Sequence, residues 1–457
     1  MPTMTEFIIK KLPYDLSGQA GLALVGKYLR RINFNALVDP AFPVRSGMAN
    51  SAILKSYLAL LCQGKSDFDA IENHRDDAFF KRALNLAAVP ASPTLRQRMD
   101  AQANHWFELA SSINEAVLAL RIEGQQVDFG HLPCGYMPLD IDTFAMDNSG
   151  TAKERVGRTY AGVDGYCPLA AYLGTAGFCL ELALRPGTQH SASESAYNLE
   201  RLLPMAARLT EAPLLVRMDS GFCAAALMQS IITQGRNLER EVAFLIKWNP
   251  RKTPVEKIAQ EKLSDPSTYW CHLREGKRTC VWQQAVELHD NESGRGVPAR
   301  RIYRLTERTT DRQGQPLLLP DYTLEGWTTT LPPHFTPDQV MALYRDHATH
   351  EQFHSEFKTD MDLERLPSGK FDTNHLVCQL AAVAMNLLRL IGQHCLHGKD
   401  APVRHAAKRR RIKTVILEMI CKAARMIHHA GRWVLGLGAN DTGFKVFEQH
   451  YAGVSSG

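Results

Sequence analysis

The hydrophobic period of this 457-residue chain changes at Met137, and that change restricts it to a mixed architecture. Before it, residues 15–125 read as helices, with Ile53, Tyr57, Leu58 and Leu61 recurring at three and four residues. After it, residues 138–144 read as a strand. Residues 169–173 and 178–184 follow as a hairpin around Gly174-Thr175-Ala176-Gly177. Then come an amphipathic helix over 194–210, a buried strand over 213–218, a helix over 222–233 and a strand over 242–247. Strand, strand, strand, helix, strand, helix, strand predicts an α/β fold with antiparallel strands first and a parallel part after.

Residues 249–334 depart from this pattern. Trp270, Trp282, Tyr303 and Trp327 lie among short alternating stretches, which predicts a mostly β insertion. A long polar helix over 337–358 then resumes the core. The segment 404–432 holds nine Lys or Arg against one acid, Glu418, and carries an apolar stripe of Ile412, Val415, Ile416, Met419, Ile420 and Ile427. It reads as a docked helix with a basic face, either a phosphate contact or a solvated surface. Earlier, Pro90 and Pro93 precede a helix that Ser92 or Thr94 could cap, with Arg96 and Arg98 in its first turn. Such a helix start suits the major groove of DNA as well as it suits solvent.

Composition narrows the classes. The 45% hydrophobic and 22% charged content is that of a soluble globular protein. Ten cysteines stand singly with no Cys-x-x-Cys pair, the pattern of reduced, buried thiols. The first residues lack a signal-peptide pattern. The most apolar stretch, 376–391, is interrupted by Gln379, Asn386 and Arg389 and reads as a core helix too short to span a bilayer. A cytoplasmic protein without membrane contact is expected.

The acids carry the chemistry. Asp140 and Asp142 alternate in their strand, so they share a face. Asp219 ends a buried strand, where open α/β sheets expose their reactive groups, although Asp-Ser-Gly also suits helix capping. Tyr344, Glu351 and Lys358 are spaced by sevens along the late helix, with His347 on the same face. Carboxylates gathered in this way are the usual oxygen ligands of a two-Mg²⁺ site.

These residues resemble the DDE transposases of bacterial insertion sequences. The family signature Tyr-x2-Arg-x3-Glu-x6-Lys reads here as Tyr344-x2-His347-x3-Glu351-x6-Lys358, with histidine in place of arginine. Asp140-Ile141-Asp142-Thr143 resembles the first-aspartate strand and Arg217-Met218-Asp219-Ser220-Gly221-Phe222 the second. Leu184-Arg185-Pro186-Gly187 and Leu366-Pro367-Ser368-Gly369-Lys370-Phe371 also match, so the likeness runs from about residue 45 to 433. It implies an RNase H-like mixed-sheet core. The expected parts are a helical N-terminal DNA-binding region (1–130), the core in two pieces (131–248 and 335–400), the β insertion (249–334) and a basic helical C-terminal region (401–457). It implies Asp142, Asp219 and Glu351 as catalytic metal ligands, with Asp140 as the alternative first ligand. Mg²⁺ is the expected ion, Mn²⁺ able to substitute. Tyr344, His347, Lys358, Arg96, Arg98, Lys408, Arg409, Arg410 and Arg411 are the expected DNA contacts. The implied partners are double-stranded terminal inverted repeats, target DNA and further copies of the chain on that DNA.

Two other readings remain. His350-Glu351-Gln352-Phe353-His354 matches the zinc metallopeptidase motif His-Glu-x-x-His. A DNA-binding protein with a decayed catalytic core is the other, against which the intact acids argue.

Overall fold

The computed structural model describes residues 6–122, 124–251, 253–289, 296–403 and 405–454. The chain forms two compact units. One comprises Met1–Val127, Ala152–Glu154 and Ser355–Gly457, the other Asp128–Thr151 and Arg155–His354.

The second unit is built on a nine-stranded mixed sheet. Its strands in chain order are β1 (Met137–Thr143), β2 (Leu169–Leu173), β3 (Phe178–Ala183), β4 (Leu214–Met218), β5 (Val242–Trp248), β6 (Cys271–Arg274), β7 (Lys277–His289), β8 (Gly296–Thr310) and β9 (Pro316–Thr329). Their spatial order is β6-β7-β8-β9-β5-β4-β1-β2-β3. β1 pairs parallel to β4, and β4 parallel to β5, while β2 and β3 run antiparallel. The order β3-β2-β1-β4-β5 is the RNase H-like arrangement that the family resemblance implied. β4 is Leu-Leu-Val-Arg-Met and wholly buried, as a parallel strand covered on both faces must be.

The insertion is continuous with this core. β9 hydrogen-bonds to β5, so its long strands extend the same sheet instead of forming a separate one. The late helix is shorter than the sequence period suggests. α1 spans Pro337–His347 and opens with a capping box between Thr336 and Gln339. It gives way at Ala348 to α2 (His350–Ser355) and a π-turn over Glu356–Asp360. Tyr344, Glu351 and Lys358 therefore do not share one continuous helix, and Lys358 belongs to the other unit, paired with Glu364 at 3.0 Å. Val340, Met341 and Leu343 seat α1 on a core with Leu215, Leu245, Ile302 and Trp327.

The hairpin turn between β2 and β3 locks α2. Gly177 has φ +71°, and a Cβ there would stand 2.2 Å from the Phe353 ring. Gly177→Ala therefore meets both left-handed strain and a fixed aromatic. A loss of about 1–3 kcal/mol is expected, read as a shift in the denaturant midpoint at unchanged slope.

The first unit is mainly helical. Its helix Ser92–Leu118 packs along Phe371–Cys395, with Asn386 Nδ2 donating to Asn114 Oδ1 at 2.8 Å in the interface. Phe371–Cys395 is in fact long and apolar enough to cross a membrane, but 94% of its most apolar 18-residue window is buried in the protein. Burial, not length, marks it as a core helix. The cap of Ser92–Leu118 is Ala91; Ser92 instead hydrogen-bonds Asp69. The expected basic tail helix is also corrected. Among the described residues of 405–432, helix occupies Ile412–Val415 and a π-turn Ile416–Ile420; the chain then forms a hairpin of Ala424–His429 and Arg432–Leu437, and a helix returns at Phe444–Gly453. Ile427, counted in a helical stripe, lies in a strand whose burial alternates with period two.

In this unit the Tyr28 hydroxyl meets His450 Nε2 at 2.7 Å. Burial, with the nearby His394, pushes the His450 pKa down to about 3. The unfolded chain accepts this proton near pH 6.5, the folded chain only near 3, so stability held above 6.5 is lost as pH falls. About 2 kcal/mol should be lost by pH 5 from this group alone. His450→Gln should lose about that much less between pH 7.5 and 5, measured by urea unfolding at both.

Candidate active site

The site is set by the register of two neighbouring strands. β4 lies parallel to β1 with Arg217 opposite Asp140 and Met218 opposite Ile141. Asp219 then leaves β4 beside the end of β1 that carries Asp142. Alternation on β1 turns Asp140 and Asp142 to one face, but their surroundings differ.

Asp140 is buried and fully engaged. Arg217 grips it as a fork, Nε to Oδ1 at 2.6 Å and Nη2 to Oδ2 at 2.7 Å, and His347 Nδ1 reaches Oδ1 at 3.0 Å. The third arm of Arg217, Nη1, donates to the Leu343 carbonyl at 2.6 Å, tying α1 to the sheet. Burial alone would raise the Asp140 pKa; the charges of Arg217 and His347 outweigh it and hold the carboxyl far below its ordinary range. With the ring fixed this way, His347 Nε2 is buried without a hydrogen-bond partner.

Asp142 and Asp219 face a cleft of about 1070 Å³, lined also by Tyr344, His347, His350 and Glu351. His350 Nε2 lies 2.5 Å from Asp142 Oδ2, and its Nδ1 donates to the His347 carbonyl. Burial opposes the charge on both partners, but their pairing outweighs it, so the Asp142 pKa is lowered and the His350 pKa raised. Asp219 caps the short turn Ser220–Phe222 through the Gly221 amide at 2.9 Å. It takes no ion pair among the described residues. Burial and the charge of Asp142 both raise its pKa. Glu351 is exposed at the edge of the cleft. Cations line the walls too: Arg251 and Arg345, with Lys247 and Arg304 both on Glu325, at 3.3 and 2.5 Å.

The structure thus brings Asp142, Asp219, Glu351, Tyr344 and His347 to one cleft and places Asp140 beneath it. Arg96, Arg98, Lys358, Lys408, Arg409, Arg410 and Arg411 belong to the other unit. There Arg96 lies 3.7 Å from Asp69, and Arg98 donates to Asn50 Oδ1 at 2.6 Å. Arg409 pairs with Glu356 at 2.5 Å, Arg411 with Asp360 at 2.8 Å, and Arg410 donates to the Leu396 and His405 carbonyls. Lys408 is exposed.

Residues 14–455 match the family described as Transposase DDE domain group 1. The chain belongs to the DDE transposase family. Its fold also resembles that of the piggyBac transposase in a cryo-EM synaptic complex with hairpin DNA. That likeness has 10% identity and a TM-score of 0.43, over 88% of this chain and 79% of the other. No curated protein matches the chain. Membership displaces the metallopeptidase reading of His350-Glu351-Gln352-Phe353-His354.

DDE transposases use divalent metal ions, and the donor set here fits one. Asp142 and Asp219 are two carboxylates turned to the same cleft, and the burial and Asp142 charge that raise the Asp219 pKa are what a bound cation offsets. Sequence reasoning missed Arg217 and gave His350 only to the rival motif. An arginine inside a buried apolar strand was the available signal, since a charge there requires a partner.

Proposed function

We propose that this DDE transposase binds the terminal inverted repeats of its own element and catalyses metal-dependent DNA cleavage and strand transfer in the cleft. The observation that carries the reading is the meeting of Asp142 and Asp219 at the ends of adjacent parallel strands, with Glu351, Tyr344 and His347 around them. Asp142, Asp219 and Glu351 would hold Mg²⁺, with Mn²⁺ able to substitute. Asp140 is committed to Arg217 and His347, which leaves Asp142 as the first ligand. A bound ion of this kind lowers the pKa of the attacking oxygen and neutralises charge on the phosphate.

The chain's own part is positioning and charge. Arg217 holds Asp140, Asp140 holds His347, and the Leu343 carbonyl ties α1 to the same guanidinium. Tyr344 would orient DNA at the cut, with the buried His347 ring beside it held on Asp140, and Lys247, Arg251 and Arg345 would follow its backbone. Lys358, Arg96, Arg98 and Lys408 are the proposed contacts of the other unit. Arg409, Arg410 and Arg411 are proposed contacts too, and their bonds to Glu356, Asp360 and backbone carbonyls would also hold that unit together. Pairing two element ends implies at least two copies on the DNA, in the cytoplasm and on the nucleoid.

The test uses supercoiled DNA bearing the element ends. Wild type should nick it with Mg²⁺ or Mn²⁺, and Glu351→Ala should not. Binding of the ends should weaken steeply with salt, and Arg345→Ala with Arg251→Ala should lower the slope of log affinity against log salt by about 2. Nicking by Glu351→Ala at the wild-type rate would sink the reading.

A further inference from the structure

The motif His350-Glu351-Gln352-Phe353-His354 sets two imidazoles four residues apart on α2, and the DNA-cutting reading takes up only its glutamate. We propose that His350, His354 and Asp142 form a site for a borderline divalent ion, Zn²⁺ or Co²⁺ in preference to Mg²⁺. One ligand atom from each lies within 4.8 Å of the other two. Ligands on a tetrahedral ion with bonds of about 2.0 Å stand about 3.3 Å apart, so the group needs side-chain shifts on the order of 1 Å.

The rings are already oriented. His350 donates Nδ1–H to the His347 carbonyl, which leaves Nε2 turned to Asp142 Oδ2 at 2.5 Å. A backbone carbonyl on the far nitrogen is the usual support of a metal-ligating histidine. The His354 ring stacks on Phe144, centroids 4.3 Å apart, and stands edge-on to His350 at 5.0 Å. Phe353 against Gly177 fixes the rotation of α2 that sets both rings. His350 and His354 are 6% and 7% exposed, so the ion would sit in a largely dry pocket, reached through the cleft that Asp142 and His350 line. Two imidazoles with one carboxylate suit Zn²⁺ and Co²⁺, whereas Mg²⁺ seeks oxygen ligands and keeps its waters. This inference goes beyond the DNA-cutting reading; it shares Asp142 with that reading's metal ligands and rests on donor geometry.

The test is a Co²⁺ titration of the full-length chain after chelation, followed by visible absorption and calorimetry. One saturable ion per chain with an intense d–d band is expected, undisplaced by excess Mg²⁺. His350→Gln, His354→Gln and Asp142→Asn should each weaken it by at least about 100-fold, the upper end of what even second-shell changes cost. Melting of each metal-free variant checks that it is folded; Asp142→Asn leaves the ring packing untouched. Folded variants that bind Co²⁺ like wild type, or a folded wild type that takes up none, would overturn the proposal. Should Co²⁺ fail to bind while Mg²⁺ still supports nicking, this site falls and the transposase reading stands. Co²⁺ binding without DNA cleavage by any divalent ion supports this site and sinks the other reading.

Discussion

Asp219→Asn should abolish metal-dependent nicking while leaving the metal-free protein more stable than wild type. The two effects share a cause. Burial and the charge of Asp142 raise the Asp219 pKa, so the folded chain holds this proton more tightly than the unfolded chain. Above both pKa values, the ionised carboxylate therefore costs stability, and an amide of the same shape removes that cost while keeping an oxygen for the Gly221 amide. The same carboxylate is a proposed ligand, and losing about 4 kcal/mol of charge stabilisation lowers the rate by about 10³-fold. Nicking rates at saturating Mg²⁺ and melting of chelated protein measure the two effects. A variant that melts below wild type and still cuts would contradict both.

Arg217→Met should be the most destabilising single change in the sheet unit. It strips a bidentate partner from a carboxylate that is 4% exposed and frees α1 from its tie at Leu343. Removing one partner of a buried pair costs about 3–5 kcal/mol, because the remaining charge has no solvent. The His347 contact to Asp140 Oδ1 at 3.0 Å remains and offsets part of that loss. Asp140→Leu combined with Arg217→Met should recover much of the stability, since an apolar pair of similar volume needs no partner. Chemical denaturation of the two single variants and the double variant gives the coupling directly. Equal midpoints for Arg217→Met and wild type would show that the fork contributes nothing.

The order of elements in the sheet unit was readable because burial on one face or two leaves a period in the chain. β1 to β5, the hairpin at Gly174–Gly177 and the β insertion all carried that mark. The C-terminal segment did not, because Ile412 to Ile420 mixes helical and π-turn spacing before the hairpin at Ala424 changes the period to two. The site divides in the same way. Asp142, Asp219 and Glu351 were visible as acids at strand ends and on a late helix. Arg217 showed only that a buried charge needs some partner, and His350 only a rival motif, because the partners of both lie far away in the chain.

By itself, then, the sequence determined which residues are acids, which strands are buried on both faces, and that Asp140 and Asp142 share a side. Those are local properties, fixed by side-chain chemistry and by a backbone period of two or 3.6. The proposed preference for Asp142 over Asp140 draws on the parallel register that sets Arg217 against Asp140, and on the seat of α1 that brings His347 to the same carboxylate. That choice is electrostatic and non-local. One aspartate is neutralised in the interior, and its neighbour two residues on keeps a face to the cleft.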